Sequence, residues 1–392
     1  MPAARVADIP PLSSREDYFD WFDGMSTDLP VEHRDRETPG GLQKSYLLEN
    51  VGSSPGTDGF IHLLGRSGLT AEPVGDSTEL FRIISENGSG TALVERLDHR
   101  FFALYTLLRS EASDSLVNRA VNRNPALDHI WLSTDSFKAL WAHVRATNSG
   151  RRYGRITFEH ESLFDSEGDG NGDDEGRTSR FTMIDRLQVI DQSMSPLQAT
   201  YAPLGSITHL RIPALGGGGH DLYFDGKVTN RSHSFLGHRS ALLHVTDMYS
   251  QLTKDLERLL WVTAREENSK LTLDGSVAEF MFSAPLLEST FRRWVTSLFS
   301  TSRNRFHVTG FPTWLGTRKV QASAIDQNLW QPFLLEITPE RLVAVLPEGT
   351  CGNLINRLLS SVQRHVDPNV RAYVAGRDYS SLIPKDGTRT VA

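Results

Sequence analysis

The C-terminal third contains two segments of alternating polar and apolar residues, Arg305-Phe-His-Val-Thr-Gly-Phe311 and Lys319-Val-Gln-Ala-Ser-Ala-Ile325. Successive side chains of a β-strand point to opposite faces of the sheet. Each segment therefore predicts a strand with one face toward the core and one toward solvent. Phe306 and Val308 are predicted to face the core in the first strand.

The surrounding segment, about 269–376, predicts the element order β-α-β-β-β-β-α-β. Its two helices are predicted at Pro285 to Phe299 and at Gly352 to Val366. Two helices on one side of this sheet would leave its other face open to solvent. The predicted fold class is α+β, with mixed or antiparallel sheets and packed helices.

The length, 392 residues, exceeds what one hydrophobic core usually organises, so two or three domains are expected. Changes in composition, together with Pro and Gly residues that interrupt helices and strands, predict five segments. They are an irregular N-terminal arm 1–55, a mixed α/β domain 56–150, a β-rich unit 151–268 that ends in a long helix, the α+β domain 269–376 and a loose tail 377–392.

Hydrophobic periodicity predicts several individual elements. Apolar residues at helical spacing predict a strong helix over Thr91 to Glu111 and a long helix from Ser234 to Glu266. Short apolar or alternating runs predict strands at Phe60 to Leu64 and Arg180 to Ile190. Asp225-Gly226 predicts a hairpin turn.

Composition excludes several classes of protein. Lys+Arg 41 against Asp+Glu 48 gives a net charge of −7, which excludes a uniformly basic nucleic-acid coat. A single cysteine excludes a disulfide framework, a Cys-rich zinc module and an iron–sulfur cluster. No signal peptide and no membrane span is predicted, so we expect a cytoplasmic protein. Most of the basic residues are arginine and few are lysine, which is typical of proteins from GC-rich bacteria. No cofactor is predicted, and the oligomeric state is left open.

One window reverses the overall acidic charge. Between Glu288 and Asp326 there is no acidic residue, and cations and aromatic residues alternate. The candidate binding residues are Arg292, Arg293, Arg303, Arg305, His307, Phe311, Trp314, Arg318 and Lys319. If the first strand begins early, Arg303, Arg305, His307 and Phe311 share one of its faces.

A basic sheet face with aromatic residues is typical of proteins that hold single-stranded nucleic acid, because cations follow the phosphates and bases stack. The sequence therefore predicts a component of a multi-protein system that binds an anionic partner, foremost nucleic acid. Arg303, Arg305, Arg318 and Lys319 would contact phosphate, and Phe311 and Trp314 would stack on bases. The alternative is that the patch meets the acidic loop 165–175, within the chain or in an oligomer.

A nuclease is the main rival prediction. Arg239-Ser-Ala-Leu-Leu-His244 resembles the Arg-x4-His motif of HEPN-family ribonucleases. The resemblance implies that Arg239 binds a phosphodiester and that His244 acts as acid or base. It covers six residues, and an ordinary helix flank explains the same residues.

A nuclease could instead use a metal site in the region of His220. His220, Asp221 and Asp225 are residue types that hold zinc or manganese. The hairpin turn at Asp225-Gly226 explains part of this pattern without a metal.

A helix start at Thr350, Cys351, Gly352 and Asn353 predicts free backbone amides that could hold a small anion. A capped helix with no ligand is the alternative reading of the same residues.

A non-catalytic interaction scaffold is the third prediction for the protein. Its docking element would be the acidic and aromatic segment 17–23. The alternative is that this segment packs on its own domain.

Overall fold

The computed structural model describes residues 8–27, 41–52, 56–161, 178–214, 217–267, 270–300 and 305–384. These residues form eight α-helices and two sheets whose strands pair almost entirely antiparallel. The predicted α+β fold class is confirmed. Within these ranges, no helix is both long enough and apolar enough to cross a membrane.

The helices are α1 (Arg15–Thr27), α2 (Gly56–Arg66), α3 (Ser110–Arg123), α4 (Thr134–Thr147), α5 (Leu187–Thr200), α6 (Phe235–Leu260), α7 (Glu288–Leu298) and α8 (Asn353–His365). The strands of the first half are β1 (Lys44–Asn50), β2 (Thr70–Pro73), β3 (Leu80–Ile84), β4 (Gly90–Arg96), β5 (Phe101–Thr106), β6 (Leu127–His129), β7 (Tyr153–Glu161) and β8 (Thr178–Arg186). The remaining strands are β9 (Ile207–Pro213), β10 (Gly219–Tyr223), β11 (Lys227–Asn230), β12 (Trp261–Glu267), β13 (Lys270–Asp274), β14 (Ala278–Met281), β15 (Val308–Trp314), β16 (Val320–Asp326), β17 (Pro332–Ile337), β18 (Arg341–Pro347), β19 (Arg371–Val374) and β20 (Arg377–Asp378).

The chain divides into two compact units, each built from two separated stretches. The first unit contains Met1–Ile130 and Leu210–Asp247, and the second contains Trp131–His209 and Met248–Ala392. The predicted segments 56–150 and 151–268 therefore each contribute residues to both units.

The first unit has the strand order β2-β3-β4-β5-β1-β11-β10, with antiparallel neighbours. Its interior strand β1 is buried along its whole length. The segment 1–55, predicted to be irregular, thus supplies both α1 and an interior strand. The prediction failed because Lys44, Ser45 and Glu49 are polar yet buried, so no apolar pattern marks the strand.

Helices cover both faces of the first unit's sheet. On one face, Tyr46 and Leu104 pack in one core cluster with Phe60 of α2 and Val117 of α3. On the other face, the ring of Tyr105 lies 5.2 Å from that of Phe235 in α6. The same face also receives Phe22 of α1.

Two predicted elements of the first unit are wrong. Thr91 to Glu111, predicted as a helix, contains β4, β5 and the start of α3. Every residue of β5 is buried, so no period of two is visible, and the helical spacing of its apolar residues is accidental. Phe60 to Leu64, predicted as a strand, lies in α2, since a short apolar run does not distinguish helix from strand.

In the second unit, the C-terminal part follows the predicted order β-α-β-β-β-β-α-β from β14 to β19. The sheet runs β15-β16-β17-β18-β14-β19-β20, and β12 joins β18 in parallel. Burial alternates strictly along β16, and Phe306 and Val308 are buried as predicted. The Asp225-Gly226 hairpin of the first unit is also confirmed.

Two of the predicted elements end earlier in the chain than predicted. The strand predicted at Arg180 to Ile190 ends at Arg186, where α5 begins, and the long helix predicted to Glu266 ends at Leu260, where β12 begins. The tail 377–392 is anchored in its described part, because buried Tyr379 donates a hydrogen bond to Asn356 at 2.8 Å.

Candidate functional site: the open face of the C-terminal sheet

One face of the second unit's sheet is exposed and carries a group of apolar side chains, here called the apolar strip. Its members are Phe311, Ile325, Pro332, Leu334 and Val345. The exposed fractions are 87% for Phe311, 48% for Leu334 and 38% for Ile325. The opposite face is buried, as the alternation along β16 and β18 shows.

The strand register places these side chains side by side across the sheet: Ile325 lies opposite Pro332, and one polar residue, Ser323, separates Phe311 from Leu334. Phe311 lies opposite Ser323, which lies opposite Leu334 on the next strand. Leu334 in turn lies opposite Val345. With neighbouring strands about 4.8 Å apart, the strip extends about 14 Å across four strands.

Ion pairs flank the apolar strip. They join Lys319 to Glu336 at 2.8 Å, Arg341 to Glu279 at 2.8 Å and Arg318 to Glu340 at 2.5 Å. The hydrogen bond from Lys319 holds the pKa of Glu336 below its ordinary value. Exposed pairs of this kind contribute at most about 1 kcal/mol to stability, but they cancel the charge that a ligand would meet.

The other cations of the basic window are dispersed. Arg292 pairs with Glu288 at 3.2 Å on α7, and Arg305 pairs with Glu161 at 2.6 Å. Arg293 is exposed on α7, and Arg303 lies outside the described residues. The acidic loop 165–175, the alternative partner of this patch, also lies outside them. The structure therefore does not bring the predicted cations together on one face.

The predicted aromatic pair is divided between the two faces of the sheet. Phe311 and Trp314 have opposite parity on β15, and the ring of Trp314 lies 5.6 Å from that of Phe291 in α7. The strand begins only at Val308, so His307 precedes it and has a left-handed backbone with φ of 52°. Phe311 is thus the one predicted stacking residue on the open face.

The two residues proposed for a nuclease, Arg239 and His244, lie on different faces of α6. Arg239 donates to both carboxylate oxygens of Glu95, at 2.7 and 3.0 Å, and its guanidinium lies 5.2 Å above the ring of Phe19. The hydrogen bond with fully buried Glu95 raises the pKa of Arg239. Five residues correspond to about 140° around a helix, so Arg239 and His244 do not share a face.

The proposed metal ligands are not brought together. His220 and Asp221 are consecutive on β10 and point to opposite faces. Asp221 accepts two hydrogen bonds from Arg211, at 2.7 and 3.0 Å, and another from Arg231 at 2.5 Å. Asp225 accepts from the backbone of its own hairpin. Among the described residues, no group of three or more His, Cys, Asp or Glu side chains is placed to hold a metal ion.

The backbone amides at the start of α8 already have partners. The predicted anion-binding residues were Thr350, Cys351, Gly352 and Asn353. The amide of Cys351 donates to Gln331 at 2.7 Å, and that of Gly352 donates to the carboxylate of Glu257 at 3.0 Å. The amide of Asn353 donates to Sγ of Cys351. A carboxylate of the chain itself thus occupies the position predicted for an anion.

The aromatic segment 17–23 forms part of α1 and packs on the first unit. Tyr18 and Phe22 are buried, and the guanidinium groups of Arg15 and Arg239 lie 5.3 and 5.2 Å from the ring centre of Phe19. A role for this segment in docking a partner stays a prediction.

Sequence analysis missed the apolar members of the open face. Ile325 and Leu334 lie on predicted strands, and strand alternation places Ile325 with Gln321 and Ser323 on the solvent side. The signal was therefore present. The charged residues of the same segment are the stronger pattern along the chain, and they conceal it.

Comparison with known proteins places the chain in a family. A family profile described as MJECL33-like protein matches residues 12–383, which is nearly the whole chain. The chain belongs to this family. The chain is similar to the uncharacterized protein MJECL33 of Methanocaldococcus jannaschii, with 22% identity over 323 residues. The match covers 73% of this chain and 77% of that relative. The family name assigns no activity, and the matched region includes the apolar strip.

Two buried histidines of the first unit predict stability that is lost in acid. Nδ1 of His220 and Nδ1 of His238 lie 3.3 Å apart, and Nε2 of His238 lies 2.7 Å from Oγ of Ser45. Burial lowers the pKa of His220 to about 4 and also lowers that of His238. Below pH 6.5 the unfolded chain binds protons that the folded unit does not, so stability is complete above about pH 6.5 and falls as the pH drops toward 4.

For His220 alone the loss corresponds to about 3 kcal/mol. Urea unfolding between pH 7 and pH 4.5 measures it. His220→Gln combined with His238→Gln should flatten the dependence on pH, whereas His62→Gln, at an exposed position on α2, should not. An unchanged slope in the double variant would contradict the assignment.

Proposed function

We propose that this protein is a non-catalytic interaction protein that binds an amphipathic helix of a partner protein across the open face of its C-terminal sheet. The supporting observation is the apolar strip, in which three members expose between 38% and 87% of their surface. Single exposed apolar residues are common, but contiguous ones mark interaction sites.

The charges beside the strip favour a polypeptide over a polyanion. Binding to nucleic acid draws most of its free energy from cations that displace counterions. Here Lys319, Arg318 and Arg341 are each paired with a glutamate, and a phosphate chain would meet those carboxylates as well. An uncharged apolar surface matches the strip without breaking these pairs. Nucleic acid, the partner that the sequence favoured, stays a prediction.

The dimensions of the strip favour a helix. A helix rises about 1.5 Å per residue, so about 14 Å corresponds to roughly nine or ten residues. Apolar side chains at i, i+7 and i+10 of such a helix rise by about 10.5 and 4.5 Å, which matches the spacing from Phe311 to Leu334 and from Leu334 to Val345. A helix there would also give the sheet a packed layer on both faces, a common arrangement for sheets.

Photo-crosslinking from inside the strip tests this function. Phe311 is replaced by the photoreactive residue p-benzoylphenylalanine in the full-length protein, in cells that naturally make it. We expect irradiation to give a discrete adduct that protease degrades and nuclease leaves intact. The same replacement at Tyr153, 62% exposed on β7 and outside the strip, should give no adduct of that mass.

An adduct that nuclease removes would overturn the proposal in favour of nucleic acid. Equal adducts from Phe311 and Tyr153, or no adduct from Phe311, would overturn it as well.

A further inference from the structure

Trp330 has a backbone conformation that its side chain does not favour. Its φ is 53°, in the left-handed region, which bulky residues rarely adopt and which glycine adopts at no steric cost. Only three non-glycine residues in the described part of the chain share this feature, and the other two are His307 and Ala375. A strained residue on a surface loop points to a role other than folding.

The surrounding turn imposes this conformation. The amide of Trp330 donates to the carbonyl of Asp326 at 2.8 Å, and the amide of Asp326 donates to the carbonyl of Gln331 at 2.9 Å. The Asp326 carboxylate also accepts from the amides of Asn328 and Leu329, at 2.8 and 3.1 Å. These bonds close the connection between β16 and β17 with Trp330 inside it.

Asp326 is itself held in place. Its carboxylate forms an ion pair with Arg357 of α8, and both side chains are fully buried. The turn is therefore anchored to the interior of the second unit. A position held this firmly keeps its orientation before any partner arrives.

The indole of Trp330 buries little of its surface in the folded protein and so contributes little to stability. Trp330 is 65% exposed, although tryptophan is among the residues with the most apolar surface to bury. It precedes Pro332 by two residues, and Pro332 lies opposite Ile325 in the apolar strip. Trp330 therefore lies in the turn next to the end of the apolar strip, where its indole is exposed.

We propose that Trp330 is the anchor residue of this surface: its indole packs against the apolar side of the partner's helix, and its N–H donates a hydrogen bond to that partner. This inference rests on the proposed function. Tryptophan dominates many interfaces because it combines a large apolar surface with one donor. A turn whose backbone is held before binding loses little backbone entropy on association, which strengthens the association.

The test compares Trp330→Gly with the parent protein in the Phe311 crosslinking experiment. We expect the adduct yield to fall at least tenfold, because the anchor is lost. We expect the thermal midpoint of the second unit to rise by about 2–4 °C, because glycine relieves the left-handed strain. A residue that only supported the fold would show the opposite change in the midpoint.

Ala375→Gly is the matched control. Ala375 has a φ of 50° in the turn between β19 and β20, so this variant relieves the same strain away from the strip. It should raise the midpoint and leave the adduct unchanged. Trp330→Phe should keep part of the adduct, since it retains an aromatic ring without the N–H donor.

The outcomes separate this inference from the proposed function. If Trp330→Gly keeps the full adduct while Leu334→Asp loses it, the strip binds the partner and Trp330 is not its anchor. A lower midpoint in Trp330→Gly would also overturn the inference. If the parent protein gives no protein adduct, both the proposed function and the anchor are rejected.

Discussion

Leu334→Asp is expected to weaken partner binding at least a hundredfold while the protein remains folded. Leu334 lies in the middle of the apolar strip, between Ser323 and Val345 on the neighbouring strands. Covering the exposed half of this leucine contributes about 1 kcal/mol, and burying an aspartate there instead costs a further few kcal/mol. Together these terms exceed the roughly 2.8 kcal/mol that corresponds to a hundredfold change.

The fold should tolerate this change because Leu334 is already 48% exposed. Exposed substitutions usually alter the free energy of unfolding by about 0.5 kcal/mol or less. The measurement is the yield of the Phe311 adduct, with urea unfolding as the check on stability. Leu273→Asp, at a position 72% exposed on β13, is the control and should keep the adduct. Retention of the adduct in Leu334→Asp would remove the strip from the binding surface.

Asp326→Ala is expected to destabilise the second unit by about 3–5 kcal/mol. The substitution leaves the guanidinium of Arg357 buried without its carboxylate, and both side chains are fully buried. It also removes the acceptor for the amides of Asn328 and Leu329. Urea unfolding followed by tryptophan fluorescence measures the change.

Two variants separate the charge from the turn. Asp326→Asn keeps an oxygen acceptor for the turn amides, so it should retain part of the lost stability. Combining Asp326→Ala with Arg357→Met should be less damaging than the sum of the single variants, because no buried charge remains unpaired. Strict additivity of the two substitutions would show that the ion pair is not coupled in the folded unit.

Local patterns along the chain predicted the parts of the fold that depend on neighbouring residues. The alternation from Lys319 to Ile325 predicted which side chains of β16 face the core, because a strand's two faces follow directly from chain geometry. The Asp225-Gly226 turn was predicted for the same reason: only glycine readily adopts the positive φ, 75°, that this turn requires.

Local patterns did not predict the strands that are buried on both faces. β5 is buried on both faces, so its apolar residues carry no period of two, and accidental spacing made the region resemble a helix. β1 was missed for the opposite reason, since its buried residues include Lys44 and Glu49. In both cases the partners that cover the strand are distant in the chain.

Charge is the clearest case of a property that only the tertiary structure decided. The residues between Glu288 and Asp326 are basic along the chain. Strand pairing and loop placement bring Glu336, Glu340 and Glu161 to their side chains from outside that window. Coulomb interactions act through space and not along the chain, so most cations of the basic window form ion pairs with distant glutamates. The exposed apolar side chains on the strands beside these pairs are therefore the candidate site.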